Sequence, residues 1–222
     1  MFTHTPIDLL PDVNTIQKHG MRFYKVGDNL YPSITTILSD GDKPWLTDWR
    51  NSIGNKVADK ITKHATDRGT AVHLMIEKLL NNDPNPMDKQ TIEHKNEFLS
   101  LRLYLKKINN IIAQETALWS DQLQIAGRVD CIGYYKDKLC IIDFKTSTNN
   151  KTEQQISDYK LQVAAYSLMF EEMYGIQIDN YSIIMSCEKS AVPLIFTGEI
   201  EPHLKPLLKK IKTFHEKHRS KK

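Results

Sequence analysis

The segment GRVDCIGYYKDKLCIIDFKTS, residues 127–147, constrains this chain more than any other. Apolar and β-branched residues flank Lys136-Asp137, which predicts two strands joined by a two-residue turn with Tyr135 facing Lys138. In that register Asp130 lies opposite Asp143, and Arg128 opposite Lys145. Opposed side chains bring their Cβ atoms to about 5 Å, where like charges repel. Slipping the register by one residue would send one carboxylate to the other face of the sheet. Two acids at the end of an apolar hairpin call for a cation between them, and a divalent metal is the simplest one. Alternation puts Asp143 and Lys145 on one face and Phe144 on the other, toward the core. Carboxylate oxygens suit a hard ion such as Mg2+ or Mn2+. The lysine ammonium can orient water or offset charge on a phosphoryl oxygen. The plainer alternative is a surface hairpin with solvated charges.

Around this hairpin the layout is α/β or α+β, in one domain. Residues 1–45 are broken by Pro6, Pro11, Gly20, Gly27, Pro32 and Pro44, and read as an irregular arm or small hairpin. Within them YPSITTIL opens a short helix capped near Ser33 or Thr35. Residues 46–110 are helical in pattern: one helix carries GTAVHLMIEKLL with Thr66 or Asp67 as its cap, NNDPNP breaks the run, and a second covers 89–110. Residues 111–200 supply a strand at 112–119, the acidic hairpin, a helix at 156–174 stopped by Gly175, and strands YSIIMSC and AVPLIFTG. Residues 201–222 form a basic amphipathic helix and tail, suited either to a phosphate backbone or to solvent.

A length of 222 residues, 40% hydrophobic and 26% charged, is that of an ordinary folded domain with a sizeable core. No apolar run is long enough to span a membrane, and the amino terminus has no secretory pattern. Cys131, Cys140 and Cys187 lie in apolar strand-like runs, which suits buried thiols in a reducing compartment. The sequence has no phosphate loop, dinucleotide-binding glycine run, nucleophile elbow or C-x-x-C pair, which removes most acyl-transfer and redox chemistries.

Three further places can join the acids. RGTAVH offers Arg68 and His73, with Glu77 one turn on; the imidazole is a competent Mn2+ ligand or a polar packing group. Glu115 enters the same field if its strand borders the hairpin, and is otherwise an exposed strand residue. Gln162 and Tyr166, four apart on one helix, can hold a phosphate, stack by a sugar, support Lys145, or form a polar edge. Lys151 and Lys160 are candidates for backbone charge contact.

The order RGTAVH, E, GRVD, DFKTS, QVAAY resembles the PD-(D/E)XK nuclease superfamily, specifically its RecB-type exonuclease branch, which includes phage exonucleases. The likeness runs from about Tyr31 to Tyr166, and YPSITTIL resembles the segment preceding the core in mitochondrial-type members. It implies a restriction-endonuclease-like core, a mixed β-sheet flanked by helices with an N-terminal helical elaboration. It implies metal-dependent hydrolysis of DNA phosphodiesters, with an exonuclease on single strands or free ends first, an endonuclease second and a non-catalytic binding module third. His73, Asp130, Asp143 and the Phe144 carbonyl would hold Mg2+ or Mn2+; Lys145 would position water; Gln162 and Tyr166 would support that lysine or the substrate; Glu115 would be an additional acid. Arg68, Ser33, Thr35, Lys151 and Lys160 are candidate DNA contacts. Relatives with an iron–sulfur cluster use four cysteines in a spacing absent here, so no cluster is expected. A helicase or recombination protein would act in trans, and the expected location is the cytoplasm of a bacterial or phage-infected cell, ahead of the mitochondrial matrix.

Overall fold

The structure is a computed structural model and describes residues 1–219. Three short strands, β1 (Thr15–Lys18), β2 (Met21–Val26) and β3 (Asn29–Pro32), form an antiparallel sheet. The expected arm or hairpin is therefore a three-stranded unit, its turns made by His19-Gly20 and Gly27-Asp28. Helix α1 (Ile34–Ser39) follows, with Ser33 Oγ accepting from the Thr36 amide as its N-cap. Then come α2 (Pro44–Ile53), α3 (Asn55–Leu80) and α4 (Ile92–Leu105).

Helix α3 runs unbroken for 26 residues, so Thr66 and Asp67 are interior rather than caps. Thr66 Oγ1 instead donates to the Thr62 carbonyl, and Asp67 pairs with Lys63 at 2.5 Å. Nothing between Gly54 and Asn81 breaks the helix, and tertiary packing of its apolar stripe outweighs local cap chemistry. The second helix ends at Leu105, short of the expected 110. Ile108 remains buried, but as the first residue of strand β4 (Ile108–Ser120), where it pairs with Tyr135. Its apolar spacing fits either element, and strand pairing decides.

The main sheet has the order β4-β5-β6-β7-β8, with β5 (Ile125–Tyr135), β6 (Lys138–Ser147), β7 (Asn180–Cys187) and β8 (Ser190–Glu199). Only β6 and β7 run parallel, joined across one face by a 3-10 turn (Gln154–Ile156) and α5 (Ser157–Tyr174). Gly175, at φ 67°, ends α5 in the left-handed conformation that glycine tolerates. The mixed α/β class and the mixed sheet flanked by helices are as expected. Both faces are covered. One core joins the sheet to α1, α5 and α6 (Glu201–Arg219); the other joins it to α3 and α4. All three cysteines are buried free thiols.

Helix α6 is amphipathic as expected, but much of its last turn is committed to protein contacts. His215 Nε2 donates to the Leu123 carbonyl at 3.0 Å, and Lys217 and His218 reach Asp40. The final part of the expected basic tail, residues 220–222, lies outside the described residues. Among the described residues no helix is long and apolar enough to cross a membrane.

Candidate active site

Lys136 and Asp137 both have positive φ, 50° and 64°, as a two-residue hairpin turn requires. Tyr135 pairs with Lys138, and the ladder continues to Cys131–Ile142. The next register position is Asp130 and Asp143. There the recorded pairing stops, and the Phe144 amide donates to Asp130 Oδ2 at 2.8 Å. Arg128 does not face Lys145 as a cross-strand neighbour; its guanidinium turns toward Asp12 and the Glu115 carbonyl.

His73 on α3, Glu115 on β4 and Asp130 on β5 come together: one ligand atom of each lies within 4.8 Å of the others. His73 Nδ1 is 3.7 Å from Asp130 Oδ2, and its ring meets Phe144 edge-on with centroids 6.3 Å apart. His73 and Glu115 open into a groove of about 470 Å³, lined also by Gly69, Thr70, Leu74 and Glu77. Burial, with Asp130 and Glu77 adding, pushes the Glu115 carboxyl up to about 7.

Asp143 is fully buried. Its Oδ1 accepts from Lys145 Nζ at 2.5 Å, while Oδ2 has no partner. Burial pushes the Asp143 carboxyl up to about 6 against the pull of Lys145, with Asp130 adding to the rise. Lys145 is raised despite burial, because Asp143 and Asp130 favour its charged form. Its Nζ also lies 5.2 Å from the centre of the Tyr159 ring, a cation–π contact. Tyr159 was invisible as a site residue by motif, yet it stands three before Gln162 and seven before Tyr166, on one helical stripe.

Gln162 Nε2 donates to the Tyr166 hydroxyl at 2.9 Å inside the protein. Burial, then Asp130 and Asp143, raises the Tyr166 phenol well above its ordinary value. Tyr166 approaches so closely that a Cβ at Gly127 would stand 2.7 Å from its ring, which explains the glycine in GRVD.

The DNA-contact candidates scatter. Arg68 is 2% exposed, between Glu97 and Glu188 with Thr148 in reach. Ser33 is buried as a cap; Thr35 accepts from Arg22 at 2.9 Å; Lys160 pairs with Glu153; Lys151 is half-buried. A second cluster, His64, Glu93 and Glu188, also has ligand spacing. Glu188 there is already taken by the buried Arg68 guanidinium.

The donor set fits a divalent cation. Carboxylates and one imidazole converge, and a fully buried carboxylate oxygen lacks a partner, which an ion beside it would supply.

The family model for the PD-(D/E)XK nuclease superfamily matches residues 49–183. Mitochondrial genome maintenance exonuclease 1 from Mus musculus is 27% identical over 169 residues, which cover 71% of this chain and 50% of that protein. The Homo sapiens protein of the same name is 27% identical over 192 residues, 79% of this chain and 52% of that one. The chain thus spans about half the length of the curated relatives it matches. The crystal structure of a proposed exonuclease from Eubacterium rectale superposes with a TM-score of 0.46 at 12% identity, covering 67% of this chain and 64% of that one. With the matched region taking in His73, Glu115, Asp130, Asp143, Lys145, Gln162 and Tyr166, this chain belongs to the PD-(D/E)XK nuclease superfamily.

Proposed function

We propose that this protein is a Mg2+- or Mn2+-dependent deoxyribonuclease acting as an exonuclease on single-stranded DNA or DNA ends. The observation that carries the reading is the convergence of His73, Glu115 and Asp130 beside the groove, with the buried Asp143 next in register to Asp130 and one of its oxygens unpartnered. His73, Glu115, Asp130 and Asp143, with the Phe144 carbonyl, would hold the cation. A divalent ion bound there would supply Lewis acidity toward water and phosphoryl oxygen.

The chain's own residues do the rest. Asp143 and the Tyr159 ring fix the Lys145 ammonium, which stays protonated and can donate to an attacking water or to a non-bridging phosphoryl oxygen. The Phe144 amide holds Asp130 in place. Gln162 and Tyr166 support the far side of the hairpin, and Gly127 lets the phenol approach. Among the DNA-contact candidates, Thr35 and Lys151 keep partly exposed side chains and are the ones we carry forward; Ser33 and Arg68 act within the protein, and Lys160 is held by Glu153.

A preference for ends follows the names of the relatives, and a helicase or recombination protein in trans would supply them. Buried free thiols suit a reducing interior, and we place the protein in the cytoplasm of a bacterial or phage-infected cell ahead of the mitochondrial matrix. The test is to incubate labelled linear and circular single-stranded DNA of one sequence with Mg2+, Mn2+ or chelator. Metal-dependent loss of the linear strand with the circle intact is expected. Opening of the circle would make the enzyme an endonuclease. Absence of turnover on either substrate would make it a binding module.

A further inference from the structure

Glu115 has φ 45° in the middle of a strand. A non-glycine residue in this left-handed region is strained and persists only where its surroundings enforce it. Gln114–Cys131 and Thr116–Val129 are ordinary ladder pairs, so the irregular residue is flanked by regular pairing and faces Asp130. The in–out alternation slips at the same place on both strands. Ala113 and Leu118 on β4, an odd number of residues apart, share the core beside α5, and so do Val129 and Ile132 on β5. The two strands break pattern together, at the pair that carries two of the proposed ligands.

The contacts show what holds this turn. Arg128 NH1 donates to the Glu115 carbonyl. Arg128 NH2 donates to both carboxylate oxygens of Asp12, each at 2.8 Å. That hydrogen bond, opposed by burial, keeps the Asp12 carboxyl below its ordinary value. A guanidinium is a rigid planar fork, so seating one nitrogen on Asp12 fixes where the other points.

We propose that Arg128, braced by Asp12 from the N-terminal segment, is a positioning residue that holds the Glu115 backbone in its left-handed turn and so keeps the Glu115 carboxylate among the cation's ligands. This rests on the cation reading of the site. Simple electrostatics makes the opposite prediction: removing a positive group near the site would tighten cation binding. The sign of the effect therefore separates positioning from charge.

The experiment is calorimetric titration of the full chain with Mn2+, paired with thermal melts, for wild type, Arg128→Ala, Arg128→Lys, Asp12→Asn, Glu115→Gln and the double variant Arg128→Ala/Glu115→Gln. Arg128→Ala should weaken Mn2+ binding about 10- to 100-fold, the usual loss when a ligand's outer support is removed. Arg128→Lys should recover little of it, since a point donor cannot span both a carbonyl and a carboxylate. Asp12→Asn, at an exposed side chain that tolerates change, should weaken binding several-fold and carries the test if Arg128→Ala does not fold. In the Glu115→Gln background, Arg128→Ala should change the Kd by less than about twofold. Unchanged or tighter Mn2+ binding in Arg128→Ala, or an equal loss with and without the Glu115 carboxylate, would overturn the inference alone. Failure of the wild type to bind Mn2+ would overturn the cation site and this inference with it.

Discussion

Helix α3 presents two charged clusters to the sheet, and they are built on opposite plans. At Arg68 a buried guanidinium stands between Glu97 and Glu188, with Nε 3.5 Å from Glu97 Oε1, and Ser186 donates to the other Glu97 oxygen at 2.9 Å. About 7.5 Å further along the axis, at the five-residue spacing of His73, His73, Glu115 and Asp130 converge, and the nearby Lys145 ammonium is committed to Asp143. The first cluster brings its own counter-charge and ties α3, α4 and the β7–β8 turn together. The second gathers Glu115 and Asp143, whose carboxyls burial pushes up to about 7 and about 6, where the proposed cation would bind. Under the proposed function, buried charge here does two jobs, one answered by an internal guanidinium and the other by a bound cation.

The comparison predicts that damage to the two clusters will show in different measurements. The largest effect should come from Asp143→Asn, which should lower single-turnover DNA hydrolysis by about a thousand-fold or more, several kcal/mol of transition-state stabilisation. DNA binding should stay within several-fold. A variant with near wild-type turnover would dissolve the contrast.

Arg68→Ala should be worst for the fold. Breaking a buried pair by removing one partner costs about 3 kcal/mol, read as a lower midpoint in urea. Turnover per folded molecule should fall far less than in Asp143→Asn. Equal midpoints for Arg68→Ala and wild type would show that the paired cluster does not carry stability.

His73→Ala comes next. It should raise the Mn2+ concentration needed for half-maximal cleavage by at least about ten-fold, with activity returning at high metal. An unshifted metal curve would leave the imidazole as a packing group.

The smallest effect is a pH dependence in the paired cluster. Burial raises the Glu97 carboxyl above its ordinary value, although Ser186 and Arg68 pull it down. A raised folded pKa gives stability that is full below the unfolded value and lost as pH climbs through the folded one. Glu97→Gln keeps the neutral form, so it should gain on wild type in thermal melts as pH rises above the ordinary carboxylate range. Parallel curves would contradict the assignment.

The acidic hairpin was readable because its information is local. Two strands and a two-residue turn fix the register, and the register places Asp130 by Asp143. Gly175 as a stop was readable for the same reason, as was a cap at Ser33 or Thr35, of which Ser33 is the one used. What was not readable depends on partners far away in sequence. Arg68 looks like a surface cation until Glu97 and Glu188 fold over it. Arg128 looks like a neighbour of Lys145 until Asp12, 116 residues before it, takes its guanidinium. Glu115 was ambiguous between site and solvent because no pattern marks a left-handed residue inside a strand. The helix expected to reach residue 110 yields to a strand for a related reason: Ile108 suits both elements, and Tyr135 settles it.

The most direct test of the central claim is a crystal of the protein grown with Mn2+, with diffraction recorded to bring out the anomalous signal of manganese. A strong peak is expected among His73, Glu115, Asp130 and Asp143, with the unpartnered Asp143 oxygen turned to the ion, and no peak at His64, Glu93 and Glu188. A peak at the second cluster with none at the first would contradict it.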